Sequence, residues 1–137
     1  MVLRKQIDDA IYAALNVAAV TNVLTGGVWN TRVPQGTTPP YGVFSESGGS
    51  TGYTFDKTLR RRVYLVRAIV KSQWPKDAAD AFVLMAAQIQ DKVLPVSGGE
   101  MIRILEEAPF DLSEDVGGGV FYAHVGAYFG VTVDEAG

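Results

Sequence analysis

The chain has no cysteine among its 137 residues. That excludes a disulfide framework, a thiolate metal site and a thiol nucleophile. It has one histidine, His124. Without a second histidine or any cysteine, the usual ligand set of a zinc site is missing. No Gly-x-Ser-x-Gly elbow accompanies His124, so a serine hydrolase lacks its usual frame. Gly117-Gly118-Gly119 lacks the lysine, the Ser/Thr and the following helix of a phosphate loop. Glu106-Glu107 and Glu114-Asp115 lack the spacing of an EF-hand and read as a solvated acidic rim. No apolar run approaches the roughly 18 to 20 residues of a membrane span. The first residues mix Arg4, Lys5, Asp8 and Asp9 into an amphipathic pattern, so no signal peptide is expected. There is no internal repeat and no domain boundary, which predicts a single domain over 1–137.

What is present is ordinary in amount: 47% hydrophobic and 20% charged residues suit a globular domain with a real core. The net charge of −3 is unevenly placed. Residues 57–71 hold six cations and no acid, whereas residues 100–137 hold eight acids and one arginine. Such a chain can neutralise itself between neighbouring strands or pair with copies of itself.

The stretch Arg60 to Ser72 reads as one long β-strand. Successive side chains of a strand point to opposite faces. Tyr64, Val66, Ala68 and Val70 then form a core face. Arg61, Val63, Leu65, Arg67, Ile69 and Lys71 form the other face, too apolar for plain solvent and too charged for plain core. That mixture suits a subunit interface. The last strand, 120–133, also has one uniformly apolar face, from Phe121 to Val133, and is expected to pair antiparallel with it.

Helical spacing of Leu3, Ile7, Ile11, Leu15 and Ala18 predicts a helix over 2–18. Ala78, Phe82, Met85, Ile89 and Val93 predict a second over 75–94, with Pro75 in its first turn. Shorter strands are expected at 28–33, 41–46 and 101–107. Glycine-rich loops are expected at about 46–58, which carries Tyr53 and Phe55, and at 108–119. The predicted class is α+β: two main helices on one face of a four- to five-stranded, mainly antiparallel sheet.

Arg60, Arg61 and Arg62 beside Tyr53, Phe55 and Tyr64 supply the ingredients of a nucleic-acid site. Strand alternation splits the three arginines between two faces, and the chain is acidic overall, which argues against that use.

One resemblance bears on function. After an amphipathic N-terminal helix come Gly26-Gly27-Val28, then Val33-Pro34-Gln35-Gly36 and Pro40-Tyr41, then a long strand running into a helix with an alanine-rich middle. This order resembles siphophage tail-completion proteins, also called tail terminators or tail-to-head joining proteins. Gly42-Val43-Phe44 departs from the unbroken β-branched run expected there. The resemblance implies a homohexameric ring in the virion, at the head–tail junction, assembled in the host cytoplasm. Such a ring caps the tail tube, ends tube polymerisation and meets the head connector or stopper protein. Viral DNA passes through its lumen without specific binding. The family has no catalytic residues and no cofactor, so none carry over. The contact candidates are Arg60, Arg61, Arg62, Val63, Leu65, Arg67, Tyr53 and Phe55, with a lumen that is acidic or neutral. The alternatives are a connector stopper or adaptor, a small non-specific nucleic-acid binder and, last, a small hydrolase using His124.

Overall fold

A computed structural model describes residues 4–53 and 58–134, with side chains for all of these except 49–53 and 58. The elements run α1 (Arg4–Leu15), α2 (Ala18–Thr21), β1 (Val28–Asn30), β2 (Tyr41–Tyr53), β3 (Thr58–Lys71), α3 (Lys76–Ile89), β4 (Glu100–Gly117) and β5 (Val120–Asp134). The strands form one five-stranded sheet in the order β1-β2-β3-β5-β4. β1 runs parallel to β2, and every other pair is antiparallel. The α+β class holds, with a mixed sheet and a third, one-turn helix.

The helices pack on one side of the sheet, α1 against β1 and α3, and α3 against β3 and β5. In α1, Ile7, Ala10, Ile11 and Leu15 recur every three or four residues and are buried. In α3 the buried stripe is Ala78, Ala81, Phe82, Met85 and Ile89. Pro75 caps α3 with φ −54, a value its ring enforces anyway. Beneath lie Phe44, Tyr64, Val66, Ala68, Ala127, Phe129, Val131 and Val133, each at most 1% exposed. Burying each large apolar side chain stabilises the fold by about 2 kcal/mol relative to exposing it. The Phe82 and Phe129 rings meet at 6.3 Å, tying α3 to β5.

The expected antiparallel pairing at the centre of the sheet is present. β3 and β5 pair antiparallel from Leu59↔Asp134 to Lys71↔Tyr122, which puts Tyr64 beside Phe129 and Val66 beside Ala127.

Both predicted loops are corrected. The stretch at 46–58 is mostly strand: β2 continues to Tyr53, opposite Thr58, past a bulge between Glu46 and Gly48. The stretch at 108–119 is the second half of β4, paired with β5 up to Gly117↔Val120. Glycine and proline lower strand propensity, but a long neighbour with free backbone groups supplies the pairing. Bulges at Met101/Arg103, Glu106/Ala108 and Asp115/Gly117 absorb the irregularities. Both predicted helices are shorter than expected. The first stops at Leu15 and restarts at Ala18, and the second stops at Ile89. The strand expected over 28–33 ends at Asn30.

Candidate assembly surface

A buried polar cluster fixes the outer end of the core face. Tyr64 Oη donates to Asp8 Oδ1 at 2.5 Å, and Asn30 Nδ2 donates to Asp8 Oδ2 at 3.1 Å. Arg4 lies 3.5 Å from Asp8 and 3.1 Å from Glu46, whose carboxylate also takes Arg62 at 3.1 Å. One carboxylate thereby ties α1 to β1 and β3. Burial, and then the bond to Asp8, hold the Tyr64 phenol far above its ordinary range.

The predicted contact residues divide as strand alternation requires. Arg60 and Arg62 stand opposite Val133 and Val131, on the helix side. Arg61 stands opposite Thr132, on the side without helices, and its guanidinium reaches across β5 to the Glu107 carboxylate. Gly130 lies beneath that bridge, where a Cβ would meet the Glu107 carboxylate. Arg61 and Arg62 therefore hold acids of their own chain, the self-neutralising arrangement. Val63, Leu65 and Arg67 are half-buried on the open side. Tyr53 ends β2, its side chain not described, and Phe55 lies outside the described residues.

On that open side the register brings together groups that sequence reasoning left apart. Arg67 is flanked by Val43 and Gly126, and beyond Gly126 stands Phe110. The Arg67 guanidinium sits 5.8 Å from the Phe110 ring centre. Phe110 meets Tyr128 edge-on at 6.2 Å and 90°. Gly126 leaves a notch between them, and a Cβ there would strike the β3 backbone at Val66 and Arg67. Among the described residues no carboxylate forms an ion pair with Arg67. A guanidinium over an aromatic ring and lacking a carboxylate is the composition of an interface hot spot.

Toward the far end of this face Ile69 and His124 are adjacent and nearly fully buried, although no helix covers them. His124 Nε2 lies 2.9 Å from Glu114 Oε1, and its Nδ1 has no partner among the described residues. Burial lowers the His124 pKa, the Glu114 bond opposes that, and nearby Arg67 adds to the lowering. Burial raises the Tyr41 pKa, with Tyr122 and Glu114 adding and Arg67 opposing. No hydroxyl nucleophile bonds His124 among the described residues, so the geometry of a triad is not assembled there.

Phe110, Tyr128, Tyr41 and Tyr122 escaped the sequence reading as site residues. Phe110 and Leu112 do alternate with Asp111 and Ser113, but Pro109 and the acids around them obscure that signal.

Other kinds of site find little support. Among the described residues no group of three or more His, Cys, Asp or Glu could hold a metal ion. No described helix is long and apolar enough to cross a membrane. An open groove of about 450 Å³ lies between α1 and the turn at 94–97, floored by Ala10, Ala13, Ala14, Leu94, Pro95 and Val96. Its polar lining residues are Gln6, Asp9 and Ser97, and the Asp9 carboxylate already holds Lys5 at 2.7 Å.

Comparison with known proteins follows the fold. No protein-family model matches the sequence, and no curated protein does. Among solved structures, a chain of the virion of the native gene transfer agent particle superposes with a TM-score of 0.72 at 14% identity. The likeness covers 95% of this chain and 96% of that one. A second solved chain superposes with a TM-score of 0.56 at 15% identity, covering 94% of this chain and 95% of that one. At such identities the likeness is one of fold, and it spans nearly the full length of both chains in each case.

Proposed function

We propose that this chain is a structural protein of a phage-like particle, a tail terminator that forms a hexameric ring. In this reading it caps the tail tube, ends tube polymerisation and joins the tail to the head connector, and DNA passes through its lumen. It carries no catalytic site and needs no cofactor. Its partners are further copies of itself, the tail tube protein and the connector or stopper protein.

The observation that carries the reading is the end-to-end likeness of fold to a chain of the gene transfer agent particle. The open sheet face supports it, because half-buried Val63, Leu65 and Arg67 beside aromatic rings suit a seam between neighbours. The charge left outside the chain's internal ion pairs supports it too. A ring needs two different surfaces on each subunit, and the sheet carries Arg67 on one side and the exposed Asp111 and Asp115 on the other. Because Arg61 and Arg62 already hold Glu107 and Glu46, the seam falls to Val63, Leu65 and Arg67 more than to the arginine triplet. Arg60, Tyr53 and Phe55 stay candidates for the contact with the tube.

Electron microscopy of the purified protein, alone and mixed with tail tubes of a siphophage that encodes it, tests the role. The expected image is a six-fold cap at one end of each tube, with tube growth arrested. Rings found only on isolated connectors would instead make the protein a stopper or adaptor. No ring on either template would refute the reading.

A further inference from the structure

The outer half of β4 projects beyond the helical layer. The helices pack on β1, β3 and β5, and β4 is the edge strand. On β4, Glu106, Asp111 and Asp115 stand opposite Phe129, Val125 and Phe121. Directly opposed residues share a face. Phe129 and Val125 belong to the core packing, so these acids lie on the helix side of the sheet. The helical layer touches this side only at its ends, where Gln90 after α3 accepts from the Glu106 backbone N–H at 2.8 Å and the Gln73 carbonyl before α3 accepts from Ser113 at 3.1 Å. The three carboxylates are nonetheless exposed, as is Pro109 among them. None forms an ion pair among the described residues, whereas Glu107 and Glu114 are taken by Arg61 and His124.

Arg67, which forms no ion pair with a carboxylate among the described residues, lies on the opposite side of the same sheet. A side chain cannot pass through its own sheet, so the acids of one copy can never meet its own Arg67. They can meet the Arg67 of another copy. That contact sets the back of one sheet edge on the front of the next sheet. Such a contact is heterologous, the kind that repeats around a ring.

We propose that the overhanging edge of β4, with Asp111 and Asp115, docks on the open sheet face of a second copy, around Arg67, Leu65 and Phe110. The Phe110 ring, 5.8 Å from the Arg67 guanidinium, favours one placement of it for a carboxylate, which lowers the ordering cost of the pair. Val63, Leu65 and Tyr128 supply apolar area beside it, and Pro109 of the incoming edge is the apolar group that meets them. The bulges and acids of β4 keep its outer backbone edge from pairing with other strands. It therefore docks through a face and not by adding a strand. The inference rests on the ring reading and names which elements meet within it.

The absence of cysteine makes the test clean. Leu65→Cys and Asp111→Cys each introduce a single thiol, on opposite sides of the sheet. The two variants are mixed in the assembled state, at high concentration or on tail tubes, and bridged with a short bismaleimide. The expected product is a heterologous dimer joining position 65 to position 111. The doubly substituted chain should give a ladder ending at the closed ring. Linkage of Leu65→Cys copies to each other would mean a face-to-face contact and would overturn the proposal. Intact rings without the 65–111 link would overturn it while leaving the ring reading standing, and failure to form any ring would remove both. Charge reversal gives a second readout: Arg67→Glu abolishes assembly, Asp111→Lys with Asp115→Lys abolishes it, and the triple change restores it. Loss of duplex-DNA binding on Arg67→Gln, with assembly unchanged, would assign the face to DNA instead.

Discussion

Tyr64 shows how one residue carries both packing and polarity. Its ring is fully buried under the helices, and its hydroxyl reaches Asp8 at 2.5 Å. Tyr64→Phe keeps the ring and removes one donor from a nearly buried carboxylate. The expected loss is about 1–3 kcal/mol, the usual cost of leaving such a group under-satisfied, read from urea denaturation. Gly126 is constrained by space. Gly126→Ala sets a methyl group against the β3 backbone, which has no flexible end to yield, so about 3 kcal/mol or more should be lost. His124 makes stability depend on pH. Its folded pKa is lowered by burial, so the unfolded chain binds the proton more readily. The native state is then undisturbed above about pH 6.5, the ordinary histidine value. It is progressively destabilised as pH falls from there toward the lower folded value. His124→Gln should flatten that part of the profile of melting temperature against pH, while leaving the steeper loss caused by carboxylates at lower pH.

At the scale of elements, the sequence is legible where periodicity is strong and obscure where tertiary pairing overrides it. The two helical stripes and the apolar faces of β3 and β5 follow spacing rules, and the antiparallel pairing of those strands was expected. The outer half of β4 was not, because Pro109, the acids and three consecutive glycines all read as loop. It is strand because β5 offers it a complete ladder. The same gap hid the site. Arg67 stands out from its own strand, but Phe110, the ring beside its guanidinium, lies in a stretch whose composition reads as a glycine-rich loop. A contact across two strand steps has no signature in local sequence. The bridge from Arg61 to Glu107 joins β3 to β4 over β5, with side chains 42% and 33% exposed. Exposure of that degree limits its worth to about 1 kcal/mol. A double-mutant cycle of Arg61→Ala and Glu107→Ala should return a coupling energy in that range, and a much larger value would mean that the bridge organises the hairpin.

For the whole molecule, the question is which charges serve the fold and which serve assembly. The Arg62–Glu46 pair is inside: the two side chains are 16% and 18% exposed. Salt screens such a pair weakly. Asp111 and Asp115 are exposed, and their proposed partner belongs to another copy, so salt screens their attraction until contact is made. Ionic strength should therefore separate the two. Raising it to about 1 M, where the screening length falls to about 3 Å, should shift sedimentation toward the single subunit. The thermal unfolding midpoint of that subunit, followed by circular dichroism, should stay nearly unchanged. A parallel fall of both would mean that the exposed carboxylates stabilise the fold itself. No response of sedimentation to salt would mean that the apolar part of the open face, Val63, Leu65 and Tyr128, governs association. Arg67→Leu distinguishes that case, since it would then strengthen the ring instead of dissolving it.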